Sequence, residues 1–212
     1  IQEKCFYIDC DAEGKGTLEV TAYYQEKKCG SVKQEVCGSN NKMRLNLDEL
    51  YLWECGNGRL YDIIIEYKGI DFCDKINSYA GMREVRIEGY KFLLNGKSVF
   101  QRTVLDQGYY RDGIYTAPCD GDLLRDIRLS KEIGFNGARL HQKIFEPRFL
   151  YFCDREGYLV WGEHGNWGLD LSNPESFLRF MPEWLEAIER DFNHPSIIGW
   201  CPFNETWDYN GK

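Results

Sequence analysis

Asp191-Phe192-Asn193-His194-Pro195-Ser196-Ile197-Ile198-Gly199-Trp200-Cys201-Pro202-Phe203-Asn204-Glu205 is where a helix stops, an apolar strand begins and that strand runs out on a carboxylate. Upstream of it, Phe177, Phe180, Met181, Trp184, Leu185, Ile188 and Phe192 recur at helical spacing, and Pro195 keeps that helix from continuing. Ile197-Ile198-Gly199-Trp200 then reads as a short strand. A strand entered from its own helix suits a parallel sheet covered by helices, and in such sheets chemistry gathers at the carboxyl ends of the strands. Asn204-Glu205 occupies that end.

The same helix-then-strand order recurs upstream from residue 120. Asp120 is expected to cap a helix with Leu123, Leu124, Ile127 and Ile133 inward and Gly134 at its end, followed by the strand Asn136-Gly137-Ala138-Arg139-Leu140-His141. Pro147 opens a helix that ends at Gly157, and Tyr158-Leu159-Val160-Trp161-Gly162-Glu163 is the next strand. Ser172 or Asn173 caps the helix that holds Trp184, with Pro174 at its first position. With Gln101-Arg102-Thr103-Val104-Leu105-Asp106 as the first strand, these units make half of a (β/α)8 barrel, a fold of about 250 residues. Phe92 to Phe100 forms a hairpin just before it, turning on Asn95-Gly96.

Residues 1–88 have a different period. Phe6, Ile8 and Cys10 alternate, as do Leu18, Val20, Ala22 and Tyr24, then Met43, Leu45 and Leu47, then the residues of 60–67. Turn residues at Glu13-Gly14-Lys15-Gly16, Gly38-Ser39-Asn40-Asn41, Gly56-Asn57-Gly58 and Tyr67-Lys68-Gly69 divide them into about seven short strands. Ile63-Ile64-Ile65 is expected at the centre, packed on both sides. The fold predicted is multi-domain, β followed by α/β: an immunoglobulin-like sandwich over 1–88, then the first four βα units of a TIM barrel over 89–212.

Composition narrows the function. The 212 residues are 43% hydrophobic and 15% aromatic, enough for real cores, and carry a net charge of −8. That charge disfavours nucleic acid and anionic membrane surfaces and favours a neutral substrate. No apolar run approaches the roughly 20 residues of a membrane span, and Ile1-Gln2-Glu3-Lys4 lacks the features of a signal peptide. Nine cysteines without a Cys-x-x-Cys pair suggest free thiols in a reducing, cytoplasmic compartment, with one bridge among the six in the first 75 residues as the alternative.

The quoted stretch resembles a signature of glycoside hydrolase family 2, the family of β-galactosidases, β-glucuronidases and β-mannosidases. There an Asn-His-Pro-Ser run leads through an apolar strand and a Trp to an Asn-Glu pair, and Asn193 to Glu205 keeps that order. Phe192 and Cys201 depart from the pattern, in place of a polar residue and of a Gly or Ser. Asn136, Arg139 and His141 resemble a second signature, Asn-x-x-Arg-x-x-His, with the histidine one place early and His-Gln-Lys where the family has His-Tyr-Pro. Leu52-Trp53 with Leu60-Tyr61 resembles the family's middle sandwich, and Gly81-Met82-Arg83-Glu84-Val85 its junction with the barrel.

The resemblance implies part of a retaining β-glycosidase acting on a carbohydrate, with Glu205 as general acid/base and Asn204 on the sugar 2-hydroxyl. The family's nucleophile, a Glu at the seventh strand, has no counterpart here, so the 212-residue chain alone is expected to be inactive. Arg139 would place a guanidinium near the catalytic carboxylates, or form an ordinary buried ion pair; His141 would bond a sugar hydroxyl or a backbone carbonyl. Arg102 and Asp106 at the first strand, and Trp161 and Glu163 at the third, are expected to meet the sugar ring, with Trp167 and Trp207 stacking on it. Burial is expected to keep Glu205 protonated. Glu163 and His164 are only two candidate ligands beside Glu205, so no metal is expected, and no cofactor is implied.

Two other functions fit part of this pattern. Asn204-Glu205-Thr206 also reads as an N-glycosylation acceptor. A non-catalytic carbohydrate-binding or scaffold protein would share the aromatics. The open edges of a half barrel imply poor stability or self-association as a homo-oligomer.

Overall fold

A computed structural model describes residues 1–36 and 38–206. It comprises two compact units, Ile1–Trp53 with Arg59–Glu84, and Glu54–Gly58 with Val85–Lys212.

The first unit is antiparallel β. Its strands are β1 (Cys5–Asp11), β2 (Gly16–Tyr24), β3 (Lys27–Glu35), β4 (Asn40–Asn46), β5 (Tyr61–Gly69) and β6 (Cys73–Ala80). β1 pairs with β4, and the others form a sheet in the order β3-β2-β5-β6. Strict alternation decides which side is dry: Asn41, Met43 and Leu45 of β4 are buried while Lys42, Arg44 and Asn46 are exposed. Leu18, Val20, Ala22, Tyr61, Ile63 and Tyr67 complete that core. β5 is central, but Ile64 and Ile65 are only half-buried and Asp62 is exposed, so one face is dry rather than two. Tyr67-Lys68-Gly69 lies within β5; the chain reverses after it, where the Gly69 amide donates to the Phe72 carbonyl at 2.9 Å. The eight described cysteines are all free thiols.

The second unit opens with an antiparallel sheet of β7 (Val85–Glu88), β8 (Lys91–Leu94) and β9 (Lys97–Ser98). Asn95 (φ 52°) and Gly96 (φ 76°) make the two-residue turn between β8 and β9. There follow β10 (Thr103–Asp106), α1 (Asp120–Glu132), β11 (Gly137–Leu140), α2 (Pro147–Glu156), β12 (Leu159–Glu163), α3 (Pro174–Asp191) and β13 (Ile197–Cys201). The strands form one parallel sheet in the order β10-β11-β12-β13. Ala138, Leu140, Val160 and Ile197 pack under Leu123, Ile127, Phe149, Leu150 and Cys153 of α1 and α2. Alternation therefore turns Arg139, Trp161 and Glu163 to the face away from the helices.

The helix boundaries have identifiable causes. Asn173 caps α3 by accepting from the Glu175 amide, and Gly157 closes α2 in the left-handed region at φ 64°. Cys119, rather than Asp120, is the cap of α1, and it makes no side-chain capping bond; Asp120 lies one position inside, with Asp122 beside the positive helix end. Ile133 is 76% exposed because it lies beyond the last turn. In α3 the buried stripe is narrow, Phe180, Trp184 and Ala187, which leaves Phe177, Leu185 and Phe192 outside it.

Two features fix β13. Trp161 is paired with Gly199, and Gly162 with Trp200. A Cβ on Gly199 would lie 2.5 Å from the Trp161 ring, and one on Gly162 2.7 Å from the Trp200 ring, so each indole occupies the space its partner leaves. At the amino end, the fully buried Asp154 of α2 accepts the Ser196 amide at 2.9 Å and holds His194 Nδ1 at 2.6 Å. The His-Pro-Ser segment is thus tied to the scaffold. Asp154→Ala is expected to lower stability by about 3 kcal/mol, because it strands a buried amide and an imidazole; the midpoint of urea unfolding measures it.

Candidate active site

The carboxyl ends of β11, β12 and β13 bring five polar residues into a closed ring of hydrogen bonds. Arg139 Nε donates to Glu163 Oε2 at 2.6 Å, and Arg139 Nη2 donates to Asn204 Oδ1 at 2.7 Å. The Asn204 amide donates to Asn166 Oδ1 at 2.7 Å, and Asn166 Nδ2 donates back to the Asn204 carbonyl at 3.1 Å. Gln142 closes the circuit: its Oε1 accepts the Asn166 amide at 2.9 Å, and its own amide donates to Glu163 Oε1 at 3.0 Å.

Local backbone makes this ring reachable. Gln142 adopts φ 57°, an uncommon conformation for a residue with a side chain, and the sharp turn aims its amide at Glu163 while its side chain reaches the loop after β12. Glu163, Asn166 and Asn204 are 1%, 4% and 4% exposed, so their polar atoms depend on one another. The Glu163 carboxylate raises the Arg139 pKa above its ordinary value, and burial, with Glu163 second, pushes the Cys201 thiol up. Two buried amide nitrogens, Asn204 Nδ2 and Gln142 Nε2, have no partner among the described residues. Glu205 follows Asn204 directly, exposed and at φ 47°.

The sequence candidates divide sharply. Arg139, Glu163 and Asn204 are in the ring, and Glu205 is joined to it. His141 stands next to Gln142, with Nδ1 3.2 Å from Gln107 Nε2. Arg102 is elsewhere: it precedes β10, at the amino end of the sheet, where its Nε donates to the Gly134 carbonyl. Asp106 shares the helix side with its partner Leu140, accepts the Gly108 amide at 2.8 Å, and has its carboxyl pKa pushed up chiefly by burial. Trp161 is on the ring's face, but its Nε1 reaches Gln101 Oε1 at 2.8 Å and its ring covers Gly199, so it serves packing. Trp167 is 70% exposed, and Trp207 lies outside the described residues. Glu205 lacks the burial expected of it.

Gln142 and Asn166 were not legible as site residues. Gln142 showed only as a departure from a His-Tyr-Pro pattern, and nothing in the sequence marked Asn166. Among the described residues no group of three or more His, Cys, Asp or Glu is placed to hold a metal. No helix is long and apolar enough to cross a membrane.

Comparison with known proteins agrees with the resemblance. A family model described as Glycosyl hydrolases family 2, TIM barrel domain, matches residues 85–212. The β-D-glucuronidase of Dictyoglomus thermophilum is 24% identical with a TM-score of 0.84, covering 99% of this chain and 38% of its own. A Ruminococcus gnavus β-glucuronidase solved with D-glucuronic acid is 26% identical with a TM-score of 0.80, over 96% of this chain and 35% of its own. A Parabacteroides merdae β-glucuronidase is 21% identical with a TM-score of 0.81, over 96% and 28%. The chain thus spans between 28% and 38% of the length of these structures. With more than half of its residues matched by the family model, the chain belongs to glycosyl hydrolase family 2.

Proposed function

We propose that the chain is part of a retaining β-glycosidase, with an immunoglobulin-like sandwich within 1–88 and the first four βα units of the barrel within 89–212. Glu205 is its general acid/base, Asn204 holds the sugar 2-hydroxyl, and the nucleophile lies outside these residues. One observation carries the assignment: Asn204 is buried, fixed through its backbone and its side-chain oxygen, and keeps an amide nitrogen with no partner among the described residues beside an exposed carboxyl group.

In the first step Glu205 gives its proton to the glycosidic oxygen as that bond breaks, and a second carboxylate about 5–5.5 Å away bonds to the anomeric carbon. In the second step Glu205 takes a proton from water, whose oxygen displaces the enzyme carboxylate from the sugar. Glu163 is not that second carboxylate. It is buried, with one oxygen committed to Arg139 and the other to the Gln142 amide, so its role is to hold Arg139 against Asn204.

An aryl β-glucuronide is the first substrate to try, because the similar solved proteins are β-glucuronidases; aryl β-galactoside and β-mannoside accompany it. The full-length parent is expected to turn over one of the three, and the 212-residue chain none. Sustained turnover by the short chain that disappears with Glu205→Gln would place the second carboxylate within residues 1–212. A parent that binds the sugars and cleaves none is a carbohydrate-binding protein instead.

A further inference from the structure

We infer that Asn166 is a positioning residue for Glu205, acting through the peptide between Asn204 and Glu205; this rests on the acid/base assignment above. β13 ends at Cys201, and Asn204 lies three residues beyond it. Among the described residues no strand pairs with the backbone there. The Asn166 side chain takes that place. Its carboxamide accepts the Asn204 N–H at 2.7 Å and donates to the Asn204 C=O at 3.1 Å, the two-bond exchange that a paired strand would make.

The second of these bonds matters most for Glu205. The Asn204 carbonyl and the Glu205 amide belong to one rigid plane, so fixing that oxygen fixes the direction from which the Glu205 Cα departs. Glu205 itself stands at φ 47°, a conformation that costs a residue with a Cβ on the order of 1 kcal/mol or more unless its surroundings hold it. With Asn166 removed, the plane is free to turn and Glu205 is free to relax toward negative φ, which swings its carboxyl group away. Asn166 cannot follow that movement. It is 4% exposed, and its own amide is held by Gln142 Oε1, which also takes the Trp167 amide at 3.2 Å.

Direct participation of Asn166 in proton transfer is not needed for this role, and both ends of its carboxamide are already engaged. Its effect should therefore mimic a misplaced Glu205 rather than a lost contact with sugar. A displacement of about 1 Å in a reacting group can cost on the order of 100-fold in rate.

The test compares two substrates in the full-length parent, an alkyl glycoside whose leaving group needs the proton and an activated aryl glycoside of the same sugar whose leaving group does not. Asn166→Ala is expected to lower kcat/KM, which reports the first step, by about 10- to 100-fold on the alkyl glycoside and by only a few-fold on the aryl glycoside. Asn166→Asp keeps the acceptor for the Asn204 amide and loses the donor to its carbonyl. It should show the same substrate dependence, and being isosteric it carries the comparison if the alanine variant does not fold. Exchange of the Asn204 amide proton should quicken in Asn166→Ala and remain slow in Asn166→Asp. Glu205→Gln runs beside them. If Glu205→Gln discriminates the substrates and both Asn166 variants lower the two rates equally, or not at all, Asn166 has no positioning role. If Glu205→Gln itself fails to discriminate, the acid/base assignment falls and this inference with it.

Discussion

Glu205→Gln in the full-length parent is expected to lower kcat/KM on an alkyl β-glycoside by about 10²–10⁴-fold while sparing kcat/KM on an activated aryl glycoside, whose first step needs no proton. Glutamine fills the same volume and cannot supply a proton, so the loss should grow with the basicity of the departing oxygen. Glu205 is exposed and comes off Asn204 in a left-handed conformation, so the substitution disturbs no buried partner among the described residues. The variant should therefore fold with wild-type stability, and its defect should be chemical. For aryl substrates the slow step should become water attack on the glycosyl-enzyme, giving a burst of phenol followed by a slow steady rate. Equal loss on both substrates, without a burst, would assign Glu205 to another task.

Arg139→Met should have the largest effect on the scaffold. The Arg139 guanidinium donates to the buried Glu163 carboxylate and to Asn204 Oδ1. Methionine keeps most of the volume and takes the guanidinium away from the buried Glu163 carboxylate, leaving it the Gln142 amide and the Cys201 thiol among the described residues. Breaking such a pair by removing one member typically costs about 3–5 kcal/mol, most of it the penalty of an uncompensated charge. Chemical denaturation should show that loss in Arg139→Met and a substantial recovery in Arg139→Met with Glu163→Gln, where no charge remains. Activity of the parent should stay low in both, because Asn204 loses its restraint in each. Recovery of activity together with stability would mean that Arg139 serves the fold alone.

Much of the architecture could be read from local chemistry. Asn173, Gly157, Asn95-Gly96 and Pro195 act through their own dihedral preferences and hydrogen-bonding groups, and each did what its residue type favours. The turn between β2 and β3 could not be read that way. Gln25 (φ 48°) and Glu26 (φ 67°) adopt the two left-handed conformations that usually call for Asn-Gly, and only the pairing of the flanking strands compels them. Site residues divide similarly. Asn204 and Glu205 were legible because a motif fixes their order, and Arg139 because it stands in a second stretch that resembles a family signature. Arg102 and Asp106 were misplaced by the direction of a strand and by its phase: one lies at the amino end, the other on the helix side. Asn166 left no signal, since its importance comes from a contact across 38 positions.

The reciprocal indole and glycine pairs of β12 and β13 act as a two-tooth key. A slip of one place in one direction would set Trp161 opposite Trp200 and leave Gly162 facing Cys201; in the other, Gly162 would meet Gly199 and leave a void where the Trp200 ring belongs. Either slip also exchanges the faces of the strand and would carry Asn204 to the wrong level beside Arg139. Only one alignment satisfies both teeth, so Gly162 and Gly199, two residues without any chemistry of their own, set the height at which the proposed proton donor, Glu205, stands.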